Sequence, residues 1–96
     1  MLFALLCTDK PDSLALRMAN RPAHLDWLTS LGTRLKIAGP FTDAAGSPTG
    51  SLLIIEAADA AAAADLAAAD PYARAGLFAG VDIKPWKWVI GAPETH

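Results

Sequence analysis

His24 is the residue best suited to chemistry in this chain. It is the only histidine away from the C-terminus and lies within Arg21-Pro22-Ala23-His24-Leu25-Asp26-Trp27-Leu28. Imidazole exchanges a proton near neutral pH, which fits it for general acid–base work. On a helix, Arg17, Arg21, Leu28 and Leu31 share its side of the cylinder. Two guanidinium groups then stand beside one imidazole, an arrangement that suits an anionic substrate. A histidine at the edge of the core, bonded to a carbonyl, would produce the same pattern. Both readings stand at this level.

Asp70 is the second candidate. It follows an alanine-rich helical stretch, and an aspartate there opposes the helix dipole. Something else must justify it. Asp-Pro is a common turn initiator; alternatively, Asp70 accepts a bond from His24 and fixes its tautomer. Gly39, Pro40 and Ser51 are strand-end residues that could line a substrate cleft, or serve only geometry. Tyr72 could donate to a substrate, or simply pack. Cys7 sits in an apolar strand, where a thiol is inert. His96 is terminal and has no expected role.

These side chains must be positioned by regular elements. Residues 2–7 are apolar throughout and read as a strand covered on both faces. Residues 8–12 form a turn, and Asp12 or Ser13 is placed to cap a helix. Leu14, Met18, Leu25 and Leu28 recur at helical spacing and predict its core stripe. Pro22 either kinks that helix or opens a second piece, and Gly32 closes it. Residues 34–41 read as an edge strand, with alternation weakened by Lys36 and by Gly39-Pro40. Residues 42–49 form a turn-rich loop, and residues 51–57 are a third strand. Asp59 caps an alanine-rich helix reaching about Ala69, which Asp70-Pro71 ends. Residues 81–90 form the last strand, with Trp86 and Trp88 on one face, and residues 91–96 a frayed tail.

The predicted order is β-α-β-β-α-β, an α+β ferredoxin-like domain spanning residues 1–96: a four-stranded antiparallel sheet with two helices on one face. Two helices cover one side only, yet the first and third strands are apolar on both. A second copy of the chain would cover the other, so a homodimer is expected.

Composition narrows the remaining possibilities. The chain has 96 residues, of which 53% are hydrophobic and 19% charged, so it holds one folded core. The net charge is −2 with its cations scattered, which argues against nucleic acid and anionic membrane. The initial apolar run is too short to span a bilayer or serve as a signal peptide. One cysteine fits a reducing cytoplasm. No histidine or cysteine pair has metal-ligand spacing, and no phosphate-binding glycine motif occurs. A cofactor-free protein is expected. The third strand is aliphatic and lacks the stacking aromatics of RNA-recognition domains.

The chain resembles the YciI-like (YCII-related) family. The resemblance rests on Asp9-Lys10, Arg17, Arg21-Pro22-Ala23-His24-Leu25, Ala38-Gly39-Pro40, Thr49-Gly50-Ser51, Asp70-Pro71-Tyr72, Ala75-Gly76 and Lys84-Pro85-Trp86-Lys87. It implies a ferredoxin-like fold dimerising into an α+β barrel and a catalytic His–Asp dyad, which falls here on His24 and Asp70. The family includes a dehydrochlorinase acting on a chlorinated hydroxyquinone, and related dimeric barrels include lactone isomerases. The loop over residues 42–49 is shorter than is usual in the family, which bears on Pro40 and Ser51 as pocket residues. Two functions follow as expectations. One is acid–base elimination or isomerisation of a small anionic substrate, with Arg17 or Arg21 holding its charge. The other is a non-catalytic ligand-binding or regulatory homodimer.

Overall fold

The computed structural model describes residues 1–92. The elements run β1 (Leu2–Asp9), α1 (Leu14–Ser30), a single 3-10 turn (Gly32–Arg34), β2 (Leu35–Thr42), β3 (Pro48–Glu56), α2 (Ala60–Ala69), α3 (Pro71–Arg74) and β4 (Phe78–Trp86). The four strands form one antiparallel sheet in the order β2-β3-β1-β4. This is the expected ferredoxin-like arrangement, with β2 at an edge as its glycine and proline require. The expected tail lies largely outside the described residues, as does His96.

The register sorts the two faces of the sheet. Phe3, Leu5 and Cys7 of β1 stand opposite Ile55, Leu53 and Ser51 of β3, and partners directly opposite share a face. That face meets Ala63 and Ala67 of α2, and the cluster Phe3–Leu5–Cys7–Leu53–Ile55–Ala63–Ala67 is the buried core. Alanines along α2 let the helix approach the strands closely. Asp59 caps α2 by accepting from the Ala62 amide at 2.8 Å.

The opposite face carries Leu2, Ala4, Leu6, Leu52 and Ile54. Ile37, Phe41 and Trp86 flank them and are each about two-fifths exposed. Among the described residues no helix covers this face.

Three local expectations are corrected. The helix α1 runs unbroken through Pro22, so the two-piece alternative is not realised. Its expected core stripe is largely outside: Leu14, Met18 and Leu25 are exposed, and only Leu28 of the four packs on the core. The inward stripe instead carries Arg17 and His24, which is possible because Arg17 finds partners on the sheet and His24 finds Asp70 between α2 and α3. Ser13 occupies the N-cap position without a side-chain capping bond; its hydroxyl donates to the Pro11 carbonyl at 3.2 Å.

The last strand is displaced toward the N-terminus of its expected range. It ends at Trp86, with Pro85 tolerated because β4 is the other edge. Trp88 lies beyond it, although its ring still packs on Trp86 at 5.5 Å. The weakened alternation around Lys36 has a structural cause. Leu35 and Ile37 pair with the adjacent residues Ile55 and Ile54, so Lys36 is the extra residue of a β-bulge. The bulge returns Ala38 and Pro40 to the helix-covered face, opposite Leu53 and Ser51.

Candidate active site

Asp70 closes α2 and opens α3. Its side chain accepts from the Tyr72 amide at 2.9 Å, so it is an N-cap as well as a residue after a helix. That resolves the unfavourable position read from sequence, because the aspartate that follows α2 also starts α3. The same oxygen, Oδ1, accepts from Nδ1 of His24 at 2.8 Å. Both side chains are buried, at 8% and 3% exposure. The bond fixes the proton on Nδ1 and leaves Nε2 as the basic nitrogen. Among the described residues no fully buried side-chain nitrogen or oxygen lacks a partner, and Nδ1 is the ring nitrogen that bonds to protein. Nε2 therefore reaches open space.

That space is a cavity of about 250 Å³ between α1 and the β2–β3 edge of the sheet. All the expected substrate-binding residues line it: Arg17, Arg21, Gly39, Pro40, Ser51 and Tyr72. The exposed Met18 and Leu25, which a core stripe would have buried, are part of its wall. A small, partly apolar molecule with polar groups would fit such a lining.

Tyr72 packs against both buried side chains of α1, Arg17 and His24. Its ring stacks on the His24 imidazole, with centroids 3.9 Å apart and planes at 15°. The Arg17 guanidinium lies over the same ring, 4.6 Å from its centroid. Tyr72 is fully buried. Burial pushes its phenol pKa up, against the opposing pull of Arg17. The stacking makes it a platform for the imidazole.

Arg17, expected with Arg21 to hold a substrate's charge, is already paired within the protein. Its Nε and Nη2 donate to the two oxygens of Asp9 at 2.7 and 3.0 Å, and Nη2 also donates to Ser51 Oγ at 2.8 Å. Burial works against its charge, but the Asp9 hydrogen bonds and carboxylate, helped by Tyr72, outweigh it and the pKa rises. Removing one partner of such a pair costs roughly 3–5 kcal/mol, because the other is left buried and uncompensated. Arg21 is exposed and forms no ion pair among the described residues. Asp9 is the residue that sequence reasoning missed. The signal was available: Asp9 continues the odd-numbered face of β1 after Phe3, Leu5 and Cys7, and so points under the helices.

Cys7 lies beneath this network. Burial, helped by the Asp70 charge and opposed by Arg17, pushes its thiol up to about 12. It is a core residue. Among the described residues no group of three or more potential metal ligands converges, and no helix is long and apolar enough to cross a membrane.

The fold and site together define a ferredoxin-like α+β domain with a buried His–Asp pair opening on an arginine-lined pocket. The family model for the YCII-related domain matches residues 1–87, and the chain belongs to that family. It is 41% identical over 98 residues to protein YciI of Escherichia coli O6:H1, covering 94% of this chain and 100% of that protein. An uncharacterised protein of Haemophilus influenzae is 39% identical with the same coverage. Among solved structures, the chain is similar to 5-chloro-2-hydroxyhydroquinone dehydrochlorinase (TftG) from Burkholderia phenoliruptrix AC1100, in complex with 2,5-dihydroxybenzoquinone. The TM-score is 0.85 and the identity 36%, over 91% of this chain and 94% of that one.

Proposed function

We propose that this protein is a cofactor-free acid–base enzyme acting on a small, anionic, ring-shaped substrate by elimination or isomerisation. The observation that carries the reading is the His24 Nδ1–Asp70 bond of 2.8 Å, which leaves Nε2 as a base on the pocket wall. In an elimination, Nε2 takes a proton from a substrate hydroxyl or carbon. The electron pair released forms the new double bond and expels the leaving group as an anion. Asp70 stabilises the imidazolium, which then passes the proton to water. In an isomerisation, the same nitrogen returns the proton to another atom of the substrate. Arg21 supplies attraction for the negative charge and Arg17 a directed hydrogen bond. Backbone amides near Gly39 or Ser51 assist at the developing charge.

The similarity to a dehydrochlorinase with a hydroxyquinone in its complex favours a hydroxylated, chlorinated or quinonoid ring as substrate. The enzyme works in the cytoplasm as a homodimer. The open sheet face, with Leu2, Leu6, Leu52 and Ile54 along its centre, supports a second copy as its cover.

The test is anaerobic incubation with 5-chloro-2-hydroxyhydroquinone, following chloride release and the absorbance of the quinone product. Wild type should release chloride faster than His24→Ala by roughly 10²–10⁴-fold. Equal rates in the two proteins sink the catalytic reading. A compound bound by wild type and recovered unchanged would instead favour the ligand-binding dimer.

A further inference from the structure

The Asp9–Arg17 pair is an expensive feature at this place in the fold. Both side chains are buried, at 7% and 5% exposure, and two well-packed apolar side chains could tie β1 to α1 as well or better. What the pair provides is orientation. Nε and both hydrogens of Nη2 are engaged by Asp9 and Ser51. The Tyr72 hydroxyl lies close enough to help hold the guanidinium charge, but Nη1 makes none of the well-formed bonds that fix Nε and Nη2, and no fully buried side-chain nitrogen among the described residues is left unsatisfied. Nη1 therefore opens on the cavity that Arg17 lines. The guanidinium is held by its fork on one side and presents two N–H groups on the other.

We infer that Asp9 is a positioning residue: it clamps Arg17 so that Nη1 is a fixed donor to a substrate oxygen in the pocket that His24 also lines. The inference rests on the proposed function for the identity of that oxygen as part of a hydroxyquinone-type ring. Asp9 also cancels the charge of Arg17, so the two arginines divide their labour. Arg21 attracts the anion, and Arg17 orients it. Ser51, bonded to Nη2, is the third point of the clamp.

The probe is 2,5-dihydroxybenzoquinone, added to protein whose arginine side chains are labelled with nitrogen-15. In wild type the fork blocks rotation of the guanidinium, so Arg17 should show separate Nη1 and Nη2 signals. Saturating probe should move Nη1 and leave Nη2 in place. In Asp9→Asn the two signals should merge, while the His24 imidazole signals stay where they are. Arg17→Lys keeps an ion pair with Asp9 but has no second nitrogen to present. It should remain folded and bind the probe roughly tenfold more weakly, the loss of one charge-assisted hydrogen bond. That loss should persist at high salt, whereas the loss in Arg21→Ala should shrink.

An averaged Nη signal in wild type, an Nη1 signal that ignores the probe, or wild-type affinity in Arg17→Lys overturns the inference. So does a wild type that leaves the probe unbound. None of these readouts depends on turnover. Failure of His24 to catalyse and failure of Asp9 to position are thus separate results.

Discussion

The imidazole of His24 and the carboxylate of Asp70 stand 46 positions apart in the chain and 2.8 Å apart in the fold. The carboxylate oxygen that holds the imidazole is also the one that caps α3. One atom therefore joins the long helix of the first half to the short helix of the second. The buried pair and the local fold around it cannot be separated by mutation without cost.

That double role predicts a graded response at position 70. Asp70→Ala removes a cap, worth about 1 kcal/mol, and leaves the buried Nδ1–H unpaired, worth roughly 1–3 kcal/mol more. Urea denaturation should show a loss of about 2–4 kcal/mol. Asp70→Asn retains an oxygen for the Tyr72 amide and should lose less. A loss below 0.5 kcal/mol in the alanine variant would contradict the bonding described here.

The tautomer of His24 is a second expectation. With Asp70 present, nitrogen-15 spectra of neutral His24 should show the proton on Nδ1 and a free lone pair on Nε2. Asp70→Asn can donate as well as accept, so the spectrum should become mixed or reverse. Activity on any substrate should then fall on the order of 10²-fold or more. A proton found on Nε2 in wild type would leave no base facing the pocket.

Alkaline pH should destabilise the protein through Cys7. Its thiol moves from an ordinary value of 9.0 to about 12 in the fold. Below pH 9 both folded and unfolded chains keep the proton. Between 9 and 12 the unfolded chain releases it while the folded one does not, so stability is lost as pH rises across that window. The slope approaches about 1.4 kcal/mol per pH unit. Urea midpoints taken between pH 8.5 and 11 should fall, and less steeply in Cys7→Ala. In native protein at pH 8, iodoacetamide should leave Cys7 unmodified.

Gly50 should tolerate no side chain. A Cβ there would run into the backbone carbonyl oxygen of Cys7 in the neighbouring strand, with the Phe41 ring close by. Neither backbone can yield without disturbing the β1–β3 register at Thr8–Gly50. Gly50→Ala should cost roughly 1–3 kcal/mol by thermal or urea melting. Gly39, which has open space at its Cβ position, should accept alanine with little loss.

The open sheet face predicts assembly. Sedimentation equilibrium should give a mass near twice the 10.0 kDa of one chain. Leu52→Glu, at the centre of that face, should shift the population to single chains while far-ultraviolet circular dichroism stays native. A wild-type mass of one chain at micromolar concentration would remove the homodimer from the proposal.

The apolar runs of β1 and β3, the alanine-rich α2 with its Asp59 cap, and the edge position of β2 are all local matters. Each was legible from residue types and short-range spacing, because burial and backbone preference act within a few positions. The candidate residues His24, Arg17 and Arg21 were legible too, as a helical triplet on one side. The face that α1 turns inward was not. Leu14, Met18 and Leu25 form the better apolar stripe by spacing, yet they are exposed. Hydrophobic periodicity assumes that polar groups prefer water. That assumption fails where Asp9, Ser51 and Asp70 supply bonds to Arg17 and His24 from distant parts of the chain. The same distance hid the neutralisation of Arg17 and the second duty of Asp70 as a helix cap. Sequence alone determined the four strands, the two long helices and most of the candidate side chains. Only the tertiary structure decided which of them are paired and which atoms remain free to meet a substrate, because those pairings are made across the fold rather than along the chain.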